Sequence, residues 1–242
     1  MGRIYVLGIG PGDIDMMTIR AKKILDECDI IVGYKSYIEL IRDHFRDKEF
    51  FENGMRGEMD RCEKCVEFAR EGRTVGLICS GDAGVYGMAS PLMEVAEREG
   101  FSDIEVIPGV TAALSGSAVL GAPLSNDFCV ISLSDLLTPW EVIEKRLRAA
   151  ADGDFAVAIY NPSSKGRPQH LKRACDILME KLPGDRPCGY VRNIGRSGCA
   201  KKICTLAELV HEETDMFVTV FIGNSRTKVW GERLVTPRGY IL

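Results

Sequence analysis

An α/β fold with mainly parallel sheets, arranged as two α/β domains, is what this 242-residue sequence predicts. Three observations carry that expectation. Short apolar runs alternate with amphipathic segments along the whole chain, the pattern of helices layered on parallel strands. Three of those runs empty directly into glycine-rich turns. Near the middle, Gly121-Ala122-Pro123 interrupts an apolar helical segment, as such residues do at a helix end. The break places an N-terminal domain at residues 1–120 and a C-terminal domain at 121–242.

The elements follow in order. Ile4-Tyr5-Val6-Leu7 reads as the first strand. Residues 18–28 place Ala21, Ile24, Leu25 and Cys28 on one face, the spacing of an amphipathic helix. Ile30-Ile31-Val32 is the next strand, followed by a helix over 36–45. A helix at 58–70, a strand at 75–79, a helix around 87–98 and a strand at 104–107 complete the first half. Residues 111–119 are small and apolar (Ala112, Ala113, Ser115, Gly116, Ser117, Ala118), which predicts a closely packed helix. In the second half, a strand at 128–132 precedes a helix at 139–151 with proline in its first turn. Strands at 155–160, 188–191 and 217–222 follow, the first ending in the polar loop Asn161-Pro162-Ser163-Ser164-Lys165-Gly166-Arg167.

The glycine turns carry the functional signal. Gly8-Ile9-Gly10-Pro11-Gly12-Asp13 follows the first strand, Ser80-Gly81-Asp82-Ala83-Gly84-Val85-Tyr86 follows 75–79, and Pro108-Gly109-Val110-Thr111 follows 104–107. Glycine lets backbone N–H groups approach a ligand with no Cβ in the way. Three such turns after three strands point to one crevice. Its ligand is not a dinucleotide of the usual kind. The third glycine of G-x-G-x-x-G is replaced by Asp13, and no well-placed acidic ribose partner follows about 20 residues on. A phosphate-binding P-loop is excluded because no Gly-Lys pair occurs in the chain. The turns carry no basic run to neutralise a pyrophosphate. They offer Asp13 and Asp82 instead, which suits a cationic or hydroxyl-bearing ligand.

Bulk properties fit a soluble, cytoplasmic enzyme. Hydrophobic residues make up 45% of the chain, enough for real cores. No apolar stretch approaches the roughly 20 residues that span a bilayer, and no secretory signal opens the chain. Nine cysteines are an odd number for a disulfide framework. Cys62 and Cys65 form the only C-x-x-C, within a helical repeat of Met59, Cys62, Val66 and Ala69, which favours core packing over metal or redox use. Cys188, Cys199 and Cys204 are loosely spaced, and His44, His170 and His211 lack ligand spacing. No protein-bound metal is expected.

In that order and spacing, G-x-G-P-G at Gly8 to Gly12, Gly81-Asp82-x-x-x-Tyr86 and Pro108-Gly109-Val110-Thr111 resemble the tetrapyrrole methylases. These are S-adenosylmethionine-dependent enzymes that methylate corrin precursors of cobalamin. The resemblance runs nearly end to end. Two stretches, from Leu120 to Phe128 into Ser132-Leu133-Ser134-Asp135-Leu136-Leu137-Thr138-Pro139-Trp140, and from Tyr160 to Arg167, are similar to the carbon-17 methyltransferases acting on precorrin-3B or cobalt-precorrin-3. Asn126 departs from that pattern, which has histidine before the Asp127-Phe128 pair. An amide does not titrate near neutral pH, so proton transfer at that position is in doubt.

The resemblance implies two α/β domains with the active site in a cleft between them, in a homodimer. It assigns S-adenosylmethionine to Pro11, Ser80, Gly81, Asp82, Val85, Thr111 and Ala112, and less securely to Asn161, Asn193 and Ile194. It also leaves open sister enzymes acting at another corrin position or on the diphthamide precursor. A donor-binding or corrin-binding carrier is a third, non-catalytic reading. A tetrapyrrole acceptor is polyanionic, while the chain has a net charge of −4, so binding requires a local basic surface. Lys165, Arg167, Arg192 and Arg196 are the candidates, with Lys201 and Lys202 beside them; arginine clamps carboxylates with two parallel hydrogen bonds. Methyl transfer to an enamine-like ring carbon needs alignment and a dry site more than a nucleophile. Ring contraction also needs proton movement, for which Asp13, Asp127, Ser132 and Ser134 are the polar groups suggested by motif. An acidic chain with scattered basic groups is a poor nucleic-acid binder.

Overall fold

A computed structural model describes residues 2–240. The chain divides into two compact units between Thr111 and Ala112.

The first unit is a five-stranded sheet in the order β3-β2-β4-β1-β5. Its strands are β1 (Arg3–Gly8), β2 (Ile30–Tyr34), β3 (Glu49–Asn53), β4 (Thr74–Cys79) and β5 (Ile104–Ile107). Every pairing is parallel, as the alternation predicted. Helices α1 (Ile19–Glu27), α2 (Lys35–Ile41), α3 (Glu58–Arg70) and α4 (Ala89–Arg98) make the connections. Side chains alternate across the sheet, so the unit has two cores. Ile4, Val6, Ile30, Val32, Val75 and Leu77 pack with Cys62, Cys65, Val66, Leu92 and Val95 of α3 and α4. Leu7, Ile31, Ile78 and Ile107 pack with Ala21, Leu25, Ile38 and Ile41 of α1 and α2. The C-x-x-C pair is therefore core, as expected. The Thr18 hydroxyl fixes the start of α1 by accepting the Ala21 N–H at 3.1 Å.

The second unit opens with α5 (Ala112–Leu120), which the sequence assigned to the first domain. Gly116 explains the shift. A Cβ there would stand 2.8 Å from both Ile194 and Phe221, side chains of the second unit. The helix is bare on that side so that it can lie on the second sheet, and the division falls before it rather than after residue 120.

That sheet has the order β10-β9-β11-β8-β7. It contains β7 (Phe128–Ser132), β8 (Ala156–Tyr160), β9 (Pro187–Arg192), β10 (Ala200–Thr205) and β11 (Val218–Ile222). Here the expected parallel order fails: β7 and β8 are parallel, but the other three pairings are antiparallel. The reason lies in the connections. Residues 193–199 are too few for the crossover that a parallel neighbour requires, so β10 folds back on β9. The return past α8 (Leu206–Leu209) then brings β11 in on the other side of β9, against its direction. Helices α6 (Trp140–Asp152) and α7 (His170–Leu178) cover the main core. A small sheet of β6 (Gly121–Ala122), β12 (Lys228–Trp230) and β13 (Arg233–Val235) ties the late chain to the Gly121-Ala122-Pro123 break. The buried Thr236 hydroxyl donates to the Pro123 carbonyl at 2.6 Å. No helix among the described residues is long and apolar enough to cross a membrane.

Candidate functional site

In the first unit, β4, β1 and β5 are adjacent and parallel, so their carboxyl ends deliver the three glycine turns side by side. The chain leaves β1 toward β2 on one side and reaches β5 on the other. This is a switch point, where open α/β sheets bind ligands. The turns approach too closely for side chains. A Cβ on Gly8 would stand 2.6 Å from the Gly81 carbonyl oxygen and 2.7 Å from the Gly109 nitrogen. The Gly10 N–H donates to the Gly81 carbonyl at 3.1 Å, and the Gly81 N–H donates back to Gly10 at 2.7 Å.

Asp82 ties the third turn to the second. Its Oδ1 accepts the N–H groups of Gly84 and Val85 at 2.8 and 3.1 Å, and its Oδ2 accepts the Gly109 N–H at 2.8 Å. Both oxygens of Asp82 are therefore engaged by the backbone of the crevice, with Oδ2 accepting a single N–H. Asp13 is exposed and accepts the Asp15 N–H at 3.0 Å, capping a single 3₁₀ turn over Ile14–Met16. Pro11, Ser80, Gly81, Val85 and Thr111 all lie in the three turns. Tyr86 closes its turn in the left-handed region at φ 55° and is exposed.

In the second unit, β7, β8 and β9 run in the same direction, and their carboxyl ends form one loop cluster. Ser132, Ser134, Asn161, Lys165, Arg167, Asn193, Ile194 and Arg196 all fall on it. Asn161 and Asn193 both sit in the left-handed region at φ 52°, where asparagine is tolerated. The Asn161 amide donates to the Ser132 hydroxyl at 2.9 Å, and that hydroxyl accepts the Ser134 N–H at 3.2 Å. The Tyr160 hydroxyl accepts the Ala113 N–H at 2.7 Å, next to Ala112 in the first turn of α5.

Two expected residues do not fit this cluster as read. Asp127 precedes β7, at the opposite end of the strand from Ser132; five strand steps separate them by roughly 16 Å. Asn126 lies beside it, its side chain accepting the Asp127 N–H at 2.7 Å. Asp127 and Ser132 therefore stand at opposite ends of β7. Arg192 is at the right edge but is ion-paired with Asp215, and it also donates to the Glu213 carbonyl at 3.3 Å. Both of its terminal nitrogens are thus engaged within the second unit. Lys202 is likewise paired with Glu212.

The sequence reading missed Asp135 and His170. Asp135, on the loop after β7, has its Oδ2 3.0 Å from His170 Nε2 and its Oδ1 3.8 Å from Arg167 Nη1. The hydrogen bond from His170, with the Arg167 charge beyond it, holds the Asp135 carboxyl below the usual carboxylate range. The available signal was adjacency: parallel β7 and β8 must place their following loops together.

Residues 3–210 match the tetrapyrrole (corrin/porphyrin) methylases as a family. Over 240 residues the chain is 45% identical to a probable cobalt-factor III C(17)-methyltransferase of Salmonella typhimurium, covering 99% of this chain and 100% of that one. It is 36% identical to the precorrin-3B C(17)-methyltransferase of a Sinorhizobium species, covering 99% and 97%. Among solved structures it is similar to the methyltransferase CobJ, with a TM-score of 0.89, 38% identity and coverage of 98% and 100%. Matched across both units and at this identity over its full length, the chain belongs to the tetrapyrrole (corrin/porphyrin) methylases.

Proposed function

We propose that this protein methylates carbon 17 of a cobalt-containing corrin precursor, with S-adenosylmethionine as donor and contraction of the ring, in cobalamin biosynthesis. The observation that carries the proposal is full-length identity of 45% to a relative named for cobalt-factor III, against 36% to one named for precorrin-3B. The working form is a cytoplasmic homodimer, as the family resemblance implies.

The crevice fits such a donor. Its turns present backbone at a spacing a Cβ would fill, and they carry no Lys or Arg to repel a sulfonium. Pro11, Ser80, Gly81, Asp82, Val85 and Thr111 are the donor residues proposed in the first unit, and Ala112, Asn161, Asn193 and Ile194 those proposed in the second. Asp82 keeps the turns in place. S-Adenosylmethionine supplies an electrophilic methyl group. What the protein adds is alignment and exclusion of water, since carbon–methyl bond formation requires an in-line approach more than an acid or base.

Lys165, Arg167 and Arg196 would receive acceptor carboxylates. Leu136 and Leu137, 73% and 98% exposed on the loop after β7, offer apolar surface to a macrocycle face. Ser132 and Ser134 are the hydroxyls of that edge available for proton movement. The test is anaerobic incubation with S-adenosylmethionine and either cobalt-factor III, cobalt-precorrin-3 or precorrin-3B, read by mass spectrometry and absorbance. One added methyl on a cobalt acceptor, with a contracted-ring spectrum, is the expected result. Turnover of precorrin-3B alone would overturn the choice of acceptor, and no turnover of any of the three would overturn the activity.

A further inference from the structure

The carboxyl edge of the first sheet continues past the glycine turns. In its parallel register Asn53 of β3 stands opposite Tyr34 of β2, and Val32 of β2 stands opposite Leu77 of β4. Two residues further on, Tyr34 is level with Cys79, which stands opposite Gly8 of β1. Asn53, Tyr34, Cys79 and Gly8 thus form one row, and the loops that follow them leave the same edge. β3 is two strands from β4, a separation of roughly 10 Å. A tetrapyrrole whose reacting carbon meets a donor held in the turns reaches that far.

The loop after β3 is pinned from below. Buried Arg61 of α3 donates through Nη1 to the Asn53 side-chain oxygen and to the Gly54 carbonyl, the latter at 3.2 Å. The Asn53 amide donates to the Gly57 carbonyl at 3.2 Å and to Asp60 at 2.7 Å. A Cβ on Gly57 would collide with the Asn53 side chain. Between the two glycines Arg56 is held at φ 66°, a conformation that favours glycine or asparagine over arginine. The other described non-glycine residues in that region are Tyr86, Asp154, Asn161 and Asn193, and all but Asp154 lie in loops of the candidate site. Backbone strain persists where the surroundings over-determine it, and it collects at ligand sites. The side chain so presented is exposed, with no ion pair or side-chain hydrogen bond among the described residues. Nearby carboxylates are engaged elsewhere: Glu52 with Arg42 at 2.6 Å, Glu58 with Arg61 at 3.7 Å and Asp60 with Asn53. Met55, beside Arg56, is 62% exposed. Lys35, which begins α2 directly after β2, is likewise exposed and unpaired among the described residues.

We propose that Arg56 is an acceptor-binding residue, its guanidinium taking a peripheral carboxylate of the tetrapyrrole while Met55 lies against the macrocycle and Lys35 adds charge along the same edge. This rests on the tetrapyrrole reading of the function. Free donors in a planar fork match a carboxylate with two parallel hydrogen bonds, and the pinned loop holds that fork on the edge from which the glycine turns emerge. The unit that carries the turns thereby gains its own anchor for the acceptor, whereas Lys165, Arg167 and Arg196 all belong to the second unit.

The test is the dissociation constant of cobalt-factor III, from its absorbance in the presence of S-adenosylhomocysteine, for wild type, Arg56→Gly and Arg56→Lys. Glycine is the informative replacement, because it adopts a positive φ freely and removes the charge without straining the loop. Arg56→Gly is expected to bind the acceptor about tenfold more weakly. Its unfolding midpoint should be no lower than that of wild type, and its S-adenosylhomocysteine affinity unchanged. Arg56→Lys, which keeps the charge but loses the fork, is expected to weaken by about threefold. Added salt should narrow the gap between wild type and Arg56→Gly, since it screens an exposed pair of charges. Equal acceptor affinity in wild type and Arg56→Gly would overturn the role of Arg56 and leave the tetrapyrrole reading standing. A loss in Arg56→Gly matched by an equal loss of S-adenosylhomocysteine affinity would make the loop structural, with the same consequence. Failure of wild type to bind cobalt-factor III, cobalt-precorrin-3 or precorrin-3B would overturn the tetrapyrrole reading itself, and this anchor with it.

Discussion

The three N–H groups that Asp82 accepts belong to two different turns, so its carboxylate does work no neutral side chain can copy. Asn at this position keeps one acceptor but turns an N–H₂ toward another N–H, and a charge-assisted bond is replaced by a donor facing a donor. Such a loss costs about 1–3 kcal/mol. Asp82→Asn is expected to lower the unfolding midpoint and to weaken S-adenosylhomocysteine binding at least tenfold on the same ~1.4 kcal/mol scale, by calorimetry. Asp13→Ala, removing the cap of one exposed 3₁₀ turn, should cost about 1 kcal/mol or less; a collapse of kcat with little change in stability would instead make Asp13 a proton-transfer group. Acid sensitivity also has a residue-level source. Glu212 is held below its ordinary carboxyl range first by the Lys202 hydrogen bond and then by the Tyr190 hydroxyl at 2.8 Å. A carboxyl lowered by folding contributes stability above its unfolded value, and that stability is lost as pH falls through the lowered one. Urea midpoints should therefore drop below about pH 4.5, and Glu212→Gln should flatten that part of the fall.

Among the elements, α5 depends on what it lacks. Gly116 leaves room for Ile194 and Phe221, and Ile194 belongs to the loop after β9 that also carries Asn193 and Arg196. Gly116→Val would force two branches into that contact and cost about 1–3 kcal/mol by overpacking, more than the propensity gained from losing a glycine. Thermal unfolding should register the loss, and donor affinity should fall with it if Asn193 and Ile194 hold the donor as proposed. The same helix shows how the sequence could be read and where it stopped. Its small-residue run announced close packing but not against which sheet, since Ala and Ser name no partner. The central strands were legible because β1, β2 and β4 bury both faces and are nearly all apolar. Two edge strands were not: Glu49 and Glu52 interrupt β3, and Ala200, Lys201 and Lys202 leave half of β10 exposed. Without β10 in view, the reversal of direction in the second sheet was hidden. The glycine crevice was legible because steric demand is written in single residues, Gly8 and Gly109. The Asp135–His170 pair was not, because thirty-five positions of chain separate the partners and only the β7–β8 pairing brings them together.

At the scale of the whole molecule, the nine cysteines distribute in a way that chemistry can read out. All are free; seven are buried, Cys129 is half-buried and Cys199 is exposed. Burial does more than block access. A thiolate is the reactive form, and desolvation disfavours it, pushing Cys62 up to about 11 and Cys28, Cys79, Cys175 and Cys204 to about 12. The two effects act together, so native reactivity should separate sharply by position. Iodoacetamide at neutral pH is expected to modify Cys199 first and Cys129 far more slowly, with the buried seven reacting only as the protein unfolds; peptide mass spectrometry assigns each site. The decisive residues are Cys62 and Cys65. As core residues of α3 they should label at the rate of global unfolding and respond to urea with the same midpoint as the circular dichroism signal. Early labelling of either, or a native disulfide between them, would make the C-x-x-C a reactive pair and would remove both thiols from the packing that joins α3 to β4.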